Sequence, residues 1–182
     1  MKPSKPLFKT VGAFLLIAGI AAAAMAAESS KTPSVGDKAP VIQGKDQDGK
    51  TFKLADQIGK KVVLLYFYPK DDTKGCTAQA CGLRDRMSEL NKENVEVVGV
   101  SFDNAESHQK FIAKHHLNFT LLADTDGKIA DAYGVRMAGK NMARRASFLI
   151  GLDGKIVHVT DTPSAEKHLA EMKEAVEKIK KS

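Results

Sequence analysis

With 182 residues, 43% of them apolar, the chain suits one domain with a sizeable core. Its 28 Lys and Arg outnumber 22 Asp and Glu, for a formal charge of +6. The charges alternate in sign and no basic stripe is interleaved with aromatics, so nothing points to a nucleic-acid partner.

Lys2, Lys5 and Lys9 make a positive start, and Val11 to Ala24 is apolar and uncharged. Ala24-Met25-Ala26 then puts small residues at the two positions a signal peptidase reads. This pattern predicts an export signal over residues 1–26, cleaved after Ala26, and a domain over 27–182 that is periplasmic and free of the membrane. The alternative is an uncleaved anchor, since the run approaches the length of a bilayer span. No cysteine stands at the cleavage point, so no lipid anchor is expected. Three lysines and no acid leave with the signal, which takes the charge from +6 to +3.

Glu28 to Ser34 reads as a polar lead-in. Val41-Ile42 and Thr51 to Leu54 flank Asp48-Gly49, a dipeptide suited to a hairpin turn. Ala55 to Gly59 reads as a short turn. Val62 to Tyr68 is an unbroken aliphatic and aromatic run, the signature of a strand buried on both faces, and Pro69 ends it because it has no N–H to donate. Lys70 to Gly75 is a polar loop. From Cys76 the apolar positions Ala80, Leu83, Met87 and Leu90 recur at helical steps. Val95 to Ser101 is a second core strand, Ala105 to His115 a helix with Phe111 and Ile112 inward, and Phe119 to Leu122 a third strand. Lys128 to Tyr133 is a short helix stopped by Gly134. Ala146 to Ile150 and Lys155 to Val159 form a hairpin about Asp153-Gly154, and Ser164 to Lys180 is a closing amphipathic helix. This order implies an α/β fold with a mixed sheet covered on both faces, without repeat or second domain.

The chemistry concentrates where the first core strand hands over to a helix. Cys76 sits at that helix start, where the positive end of the helix dipole favours a thiolate. Cys81 is the only other cysteine. Residues five apart on a helix have Cα atoms about 8–9 Å apart and point to different sides, whereas a disulfide needs less than about 7 Å. A bond between them must unwind the helix start, which suits a redox cycle better than a staple. The five histidines (His108, His115, His116, His158 and His168) read as surface residues without metal-ligand spacing. No phosphate loop or dinucleotide fingerprint is present.

Pro69, Thr73 and Cys76 reproduce a Pro-x-x-x-Thr-x-x-Cys pattern, and with the run YFYPKDDTKGCTAQACGLRD the chain resembles the Q-type branch of the peroxiredoxins, the bacterioferritin comigratory proteins. Arg145 to Ile150, Asn118 to Asp124 and Tyr133-Gly134-Val135 resemble further family segments, so the likeness covers the mature chain. It implies a thioredoxin-like peroxiredoxin fold and a thiol-dependent peroxidase acting on hydrogen peroxide and organic hydroperoxides. Cys76 would be oxidised to sulfenic acid and resolved by Cys81, with Thr73 and Arg145 at the reacting sulfur and Pro69 shielding it. Arg144 competes with Arg145 for that role, and alternation along the strand favours Arg145. A thioredoxin-like dithiol protein would be the reductant; no metal, haem or flavin is implied, and a monomer is expected. Lys74 departs from the family pattern, which has proline there. The alternatives are an exported thiol–disulfide oxidoreductase, against which the wide cysteine spacing speaks, and a metal-carrying relative.

Overall fold

The computed structural model describes Met1 and residues 31–179; apart from Met1, the predicted export signal lies outside them. Strands β1 (Gln43–Lys45) and β2 (Thr51–Lys53) form an antiparallel hairpin. Its turn is the expected Asp48-Gly49, with Gly49 at φ +75°, a region that costs glycine nothing. A single 3-10 turn, Leu54–Asp56, leads on. Then follow β3 (Val62–Phe67), α1 (Lys74–Lys92), β4 (Val95–Ser101), α2 (Ala105–His115), β5 (Thr120–Ala123), α3 (Lys128–Ala132), β6 (Ala146–Ile150), β7 (Ile156–Asp161) and α4 (Ala165–Ile179).

Five strands make one sheet in the order β5-β4-β3-β6-β7. The β3–β4 and β4–β5 pairs are parallel, as helical crossovers require, whereas the β3–β6 and β6–β7 pairs are antiparallel. Central β3 is buried at every position, which explains its unbroken apolar reading. Alternate residues feed two cores. Leu64, Tyr66 and Tyr68 pack with Leu83, Met87 and Leu90 of α1, Phe111 of α2 and Met172 of α4. Val63, Leu65 and Phe67 pack with Ile129, Tyr133, Val135, Leu54 and Ile42. Each fully buried Leu contributes about 1.5–3 kcal/mol, so a charge at Leu64 or Leu65 would strike the core directly. The expected mixed sheet covered on both faces is therefore present.

The bounds differ from expectation where pattern is silent. Helix α1 begins at Lys74, two residues before Cys76, because Lys74 and Gly75 carry no apolar signal; Thr73 is its extended N-cap (φ −89°, ψ 150°). Strand β7 continues to Asp161, held by pairing with Ala146. The hairpin strands begin at Gln43 rather than Val41, which is exposed. Asp46 bridges to Leu122, and Gln47 Oε1 accepts from the Leu121 N–H at 3.0 Å, so the hairpin covers the free edge of β5.

Candidate active site

The register of β3 and β6 assembles the site. Phe67 pairs with Ala146 in antiparallel fashion, so Arg145 arrives beside the end of β3, where the chain leaves for Cys76. Alternation then decides between the two arginines. Arg145 shares a face with Ser147 and Leu149, the face under α1 and α4; Leu149 belongs to that core. Arg144 turns away, its Nε on Asp161 at 3.0 Å, Nη1 on the Gly134 carbonyl at 2.6 Å and Nη2 on Thr32 Oγ1 at 2.8 Å.

Arg145 is 8% exposed and every arm of its guanidinium is engaged. Nη2 donates to Cys76 Sγ at 3.4 Å, Nη1 to Gln79 Oε1 at 2.6 Å and Nε to the Pro163 carbonyl at 3.1 Å. The Pro163 contact ties the guanidinium to the turn before α4, and Gln79 ties it to the second turn of α1. A planar fork with fixed donors is suited to this three-way hold in a way a lysine is not. Cys76, the third residue of α1, is 2% exposed. Its sulfur therefore sits where a fixed cation and the N-terminal turn of a helix both favour negative charge.

The remaining predicted residues fall around this pair. Thr73 is exposed at the N-cap, but its hydroxyl donates to the Lys70 carbonyl at 3.1 Å, and no hydrogen bond is drawn from it to Cys76. Its hydroxyl proton is thus engaged, and its lone pairs remain available. Pro69 follows β3 and is half-buried; the N–H of Tyr68, on Val100 O at 3.2 Å, is the last of the ladder. Cys81 is half-buried and Cys76 buried, and both are free thiols. Both lie in the unbroken α1, about 140° apart around its axis, so their bonding requires the helix start to unwind. Two glycines of α1 leave room for close neighbours: a Cβ at Gly75 would stand 3.2 Å from Arg145 Nη2, and one at Gly82 would stand 2.3 Å from Leu169 Cδ1 of α4.

Sequence reasoning missed Gln79 and misplaced two histidines. His108 and His168 are buried, at 0% and 1% exposure, not on the surface. His168 Nε2 faces the Thr162 carbonyl at 2.9 Å and so carries the proton; Nδ1, 2.7 Å from Ser147 Oγ, accepts. Burial pushes the His168 imidazole below its usual range, with Arg145 adding to the effect and Thr162 opposing it. A usable signal existed: His108 lies three residues before Phe111 and His168 four before Met172, on the apolar faces of their helices. Among the described residues no three His, Cys, Asp or Glu side chains converge as a metal site requires.

A thioredoxin-like sheet that sets a buried helix-start cysteine against a fixed arginine defines the peroxiredoxin class. The chain belongs to the AhpC/TSA family, whose model matches residues 35–159. It is 48% identical over 139 residues to peroxiredoxin Bcp of Escherichia coli, covering 73% of this chain and 88% of that protein. Peroxiredoxin Bcp of Bacillus subtilis is 40% identical over 146 residues, covering 77% and 92%. Among solved structures, peroxidoxin BcpB of Mycobacterium tuberculosis superposes with a TM-score of 0.76 at 30% identity, covering 81% of this chain and 98% of that one. Peroxiredoxin Q of Xanthomonas campestris follows at 0.68 and 28%, covering 75% and 89%. The activity is that of a thiol-dependent peroxidase, an oxidoreductase of the Bcp type.

Proposed function

We propose that Cys76 is the peroxidatic cysteine and Cys81 the resolving one, in an exported enzyme. The observation that carries this is the guanidinium of Arg145 standing 3.4 Å from Cys76 Sγ at the start of α1. The Cys76 thiolate attacks one peroxide oxygen, the O–O bond breaks, and the departing alkoxide or hydroxide takes a proton to leave as alcohol or water. Arg145 stabilises the thiolate before attack and the charge that passes to the leaving oxygen. The Thr73 hydroxyl, its proton on Lys70, accepts from the hydroperoxide O–H, and Pro69 closes the loop beside it. Cys81 then attacks the sulfenic acid of Cys76, forming the disulfide and releasing water.

A thioredoxin-like dithiol protein returns both thiols, itself becoming the disulfide. The substrates are hydrogen peroxide and organic hydroperoxides; a related Xanthomonas campestris protein is described by its alkyl peroxide reduction activity. The chain acts as a monomer over residues 27–182. The N-terminal pattern supports export to the periplasm with cleavage after Ala26; that compartment is kept oxidising, so the reductant must itself be exported.

The test is to reduce the mature protein fully, add equimolar hydrogen peroxide, and follow free thiols and intact mass beside Cys81→Ser. Rapid loss of both thiols, with a sulfenic acid trapped in the variant, supports the reading. Survival of both thiols at the rate of free cysteine overturns it. The mass of the exported protein decides the signal: an N-terminus at Ala27 supports cleavage, and a retained Lys2 region refutes it.

A further inference from the structure

The loop between Pro69 and Thr73 is bolted to α2 by a cluster that the chemistry above does not use. Asp71 is 7% exposed, and its carboxylate accepts from Tyr68 Oη at 2.7 Å and Ser107 Oγ at 2.7 Å and faces His108 Nδ1 at 2.9 Å. Its own N–H donates to Asp103 Oδ2 at 2.9 Å, an oxygen that Ser101 Oγ also reaches. The second His108 nitrogen faces the Leu122 carbonyl at 3.2 Å, so each ring nitrogen has an oxygen acceptor and none has solvent. Next in the chain, Asp72 holds a left-handed φ of 55°, which is costly for a residue with a side chain. Lys114 and His115, at the far end of α2, grip its carboxylate. Two consecutive aspartates thus fasten one short loop to both ends of one helix.

This loop sets the start of α1. The Lys70 carbonyl receives the Thr73 hydroxyl, and the Thr73 carbonyl receives the Thr77 N–H at 2.8 Å. If Asp71 shifted, the Lys70 carbonyl would swing with it, and the Thr73 hydroxyl would lose the partner that fixes its rotor. Burial works against an ionised Asp71, yet the hydrogen bonds and charge of His108, with Ser107 and Tyr68, hold its carboxyl below the usual range. It therefore stays an acceptor for three donors at neutral pH. A buried carboxylate–imidazole contact is a poor way to gain stability and a good way to fix a single geometry.

We propose that Asp71 and His108 are positioning residues of the peroxidase, holding the 70–73 loop so that the Thr73 oxygen presents its lone pairs to the hydroperoxide at Cys76. This rests on the roles given above to Cys76 and Thr73.

The experiment is a double-mutant cycle in the Cys81→Ser background, with His108→Gln, Thr73→Val and both together. The rate constant for sulfenic acid formation is read by rapid quench and mass spectrometry, and the thermal midpoint is measured beside it. Each single change is expected to slow oxidation about 10- to 100-fold where the protein is fully folded, as misplacement of a reacting group does. The double variant should be no slower than Thr73→Val, within about a factor of two, and Thr73→Ser should restore both the rate and its sensitivity to His108→Gln. A His108→Gln protein that melts earlier but oxidises at the wild-type rate, or whose effect multiplies with that of Thr73→Val, overturns the positioning role. An unchanged rate in Thr73→Val alone instead refutes the role of Thr73, a different failure. Should His108→Gln not fold, Ser107→Ala removes one donor from Asp71 and must show the same non-additivity at smaller size.

Discussion

Gln79 Oε1 lies 2.6 Å from Arg145 Nη1, so the second turn of α1 holds the guanidinium that faces the sulfur of its first turn. Both groups are buried. Hydrogen bonds to charged groups are worth about 1.5–3 kcal/mol, and a buried donor left unpaired costs its desolvation as well.

Gln79→Leu removes the acceptor and keeps the bulk. The peroxide reaction of Cys76 is expected to slow about tenfold or more, because Arg145 is freed to leave the sulfur. Gln79→Glu retains an acceptor and should stay much nearer the wild type. Stopped-flow competition against a second thiol peroxidase gives both rate constants; equal losses in the two variants would show that the side chain only packs.

Gly82 is where α4 rests on α1, since a Cβ there would meet Leu169 Cδ1 at 2.3 Å. Helix propensity alone favours alanine by about 1 kcal/mol. Overpacking costs about 1–3 kcal/mol and should win, because α4 is also tied to the site through the Pro163–Arg145 contact. The expected outcome for Gly82→Ala is a thermal midpoint about 2–4 °C lower. A rise would mean that Leu169 swings aside freely.

Continuous apolar runs made β3, β4 and β6 legible in the sequence, and β4 and β6 fall on the expected bounds. The start of α1 was not, because Lys74 and Gly75 carry no periodic signal and the extended cap at Thr73 is set by backbone geometry. The site divides in the same way. Cys76 stood out through its place at a helix start and Arg145 through the family resemblance, and the antiparallel register of β3 and β6 brings them together. Gln79, Asp71, His108 and His168 did not, because in a single sequence a buried polar residue looks like a solvated one until its partner is known. Asp71 and His108 lie 37 residues apart and only packing introduces them.

His168 supplies an acid sensitivity. Its imidazole is buried behind Arg145, and burial holds it below the ordinary 6.5 in the folded protein. Above 6.5 both folded and unfolded chains leave it neutral, and its contribution is fully present. As pH falls through 6.5 toward the depressed folded value, the unfolded state takes the proton first and stability is lost. Arg145 repels that proton, while Glu171 and Asp161 attract it. Asp71 is depressed below 3.8, so its contribution is lost only in a separate, more acid window. Denaturant midpoints between about pH 7.5 and 5 should fall in the wild type and fall less in His168→Gln. Parallel slopes would assign the sensitivity to other groups.

Tyr66 carries the last prediction. It pairs with Gly99 across β3 and β4, and its ring fills the space over that glycine, where a Cβ would meet the ring at 2.8 Å. The same core cluster holds Cys76. Its hydroxyl is buried and, among the described residues, has no hydrogen-bond partner. Burial, reinforced by the nearby Asp71 and Cys76, raises the phenol well above its usual range, so it stays neutral. Leaving a buried hydroxyl unpaired costs about 1–3 kcal/mol, whereas an apolar group of the same shape is neutral or stabilising. Tyr66→Phe should therefore raise the thermal midpoint of the reduced protein, by about 2–4 °C for each kcal/mol recovered. Because the first turns of α1 lie over this cluster, a firmer core should also slow conversion of the Cys76 sulfenic acid to the disulfide. That variant would then over-oxidise at lower peroxide than the wild type. A lower midpoint would show that the hydroxyl is bonded in solution, and a higher midpoint with an unchanged disulfide rate would separate core stability from the unwinding of α1.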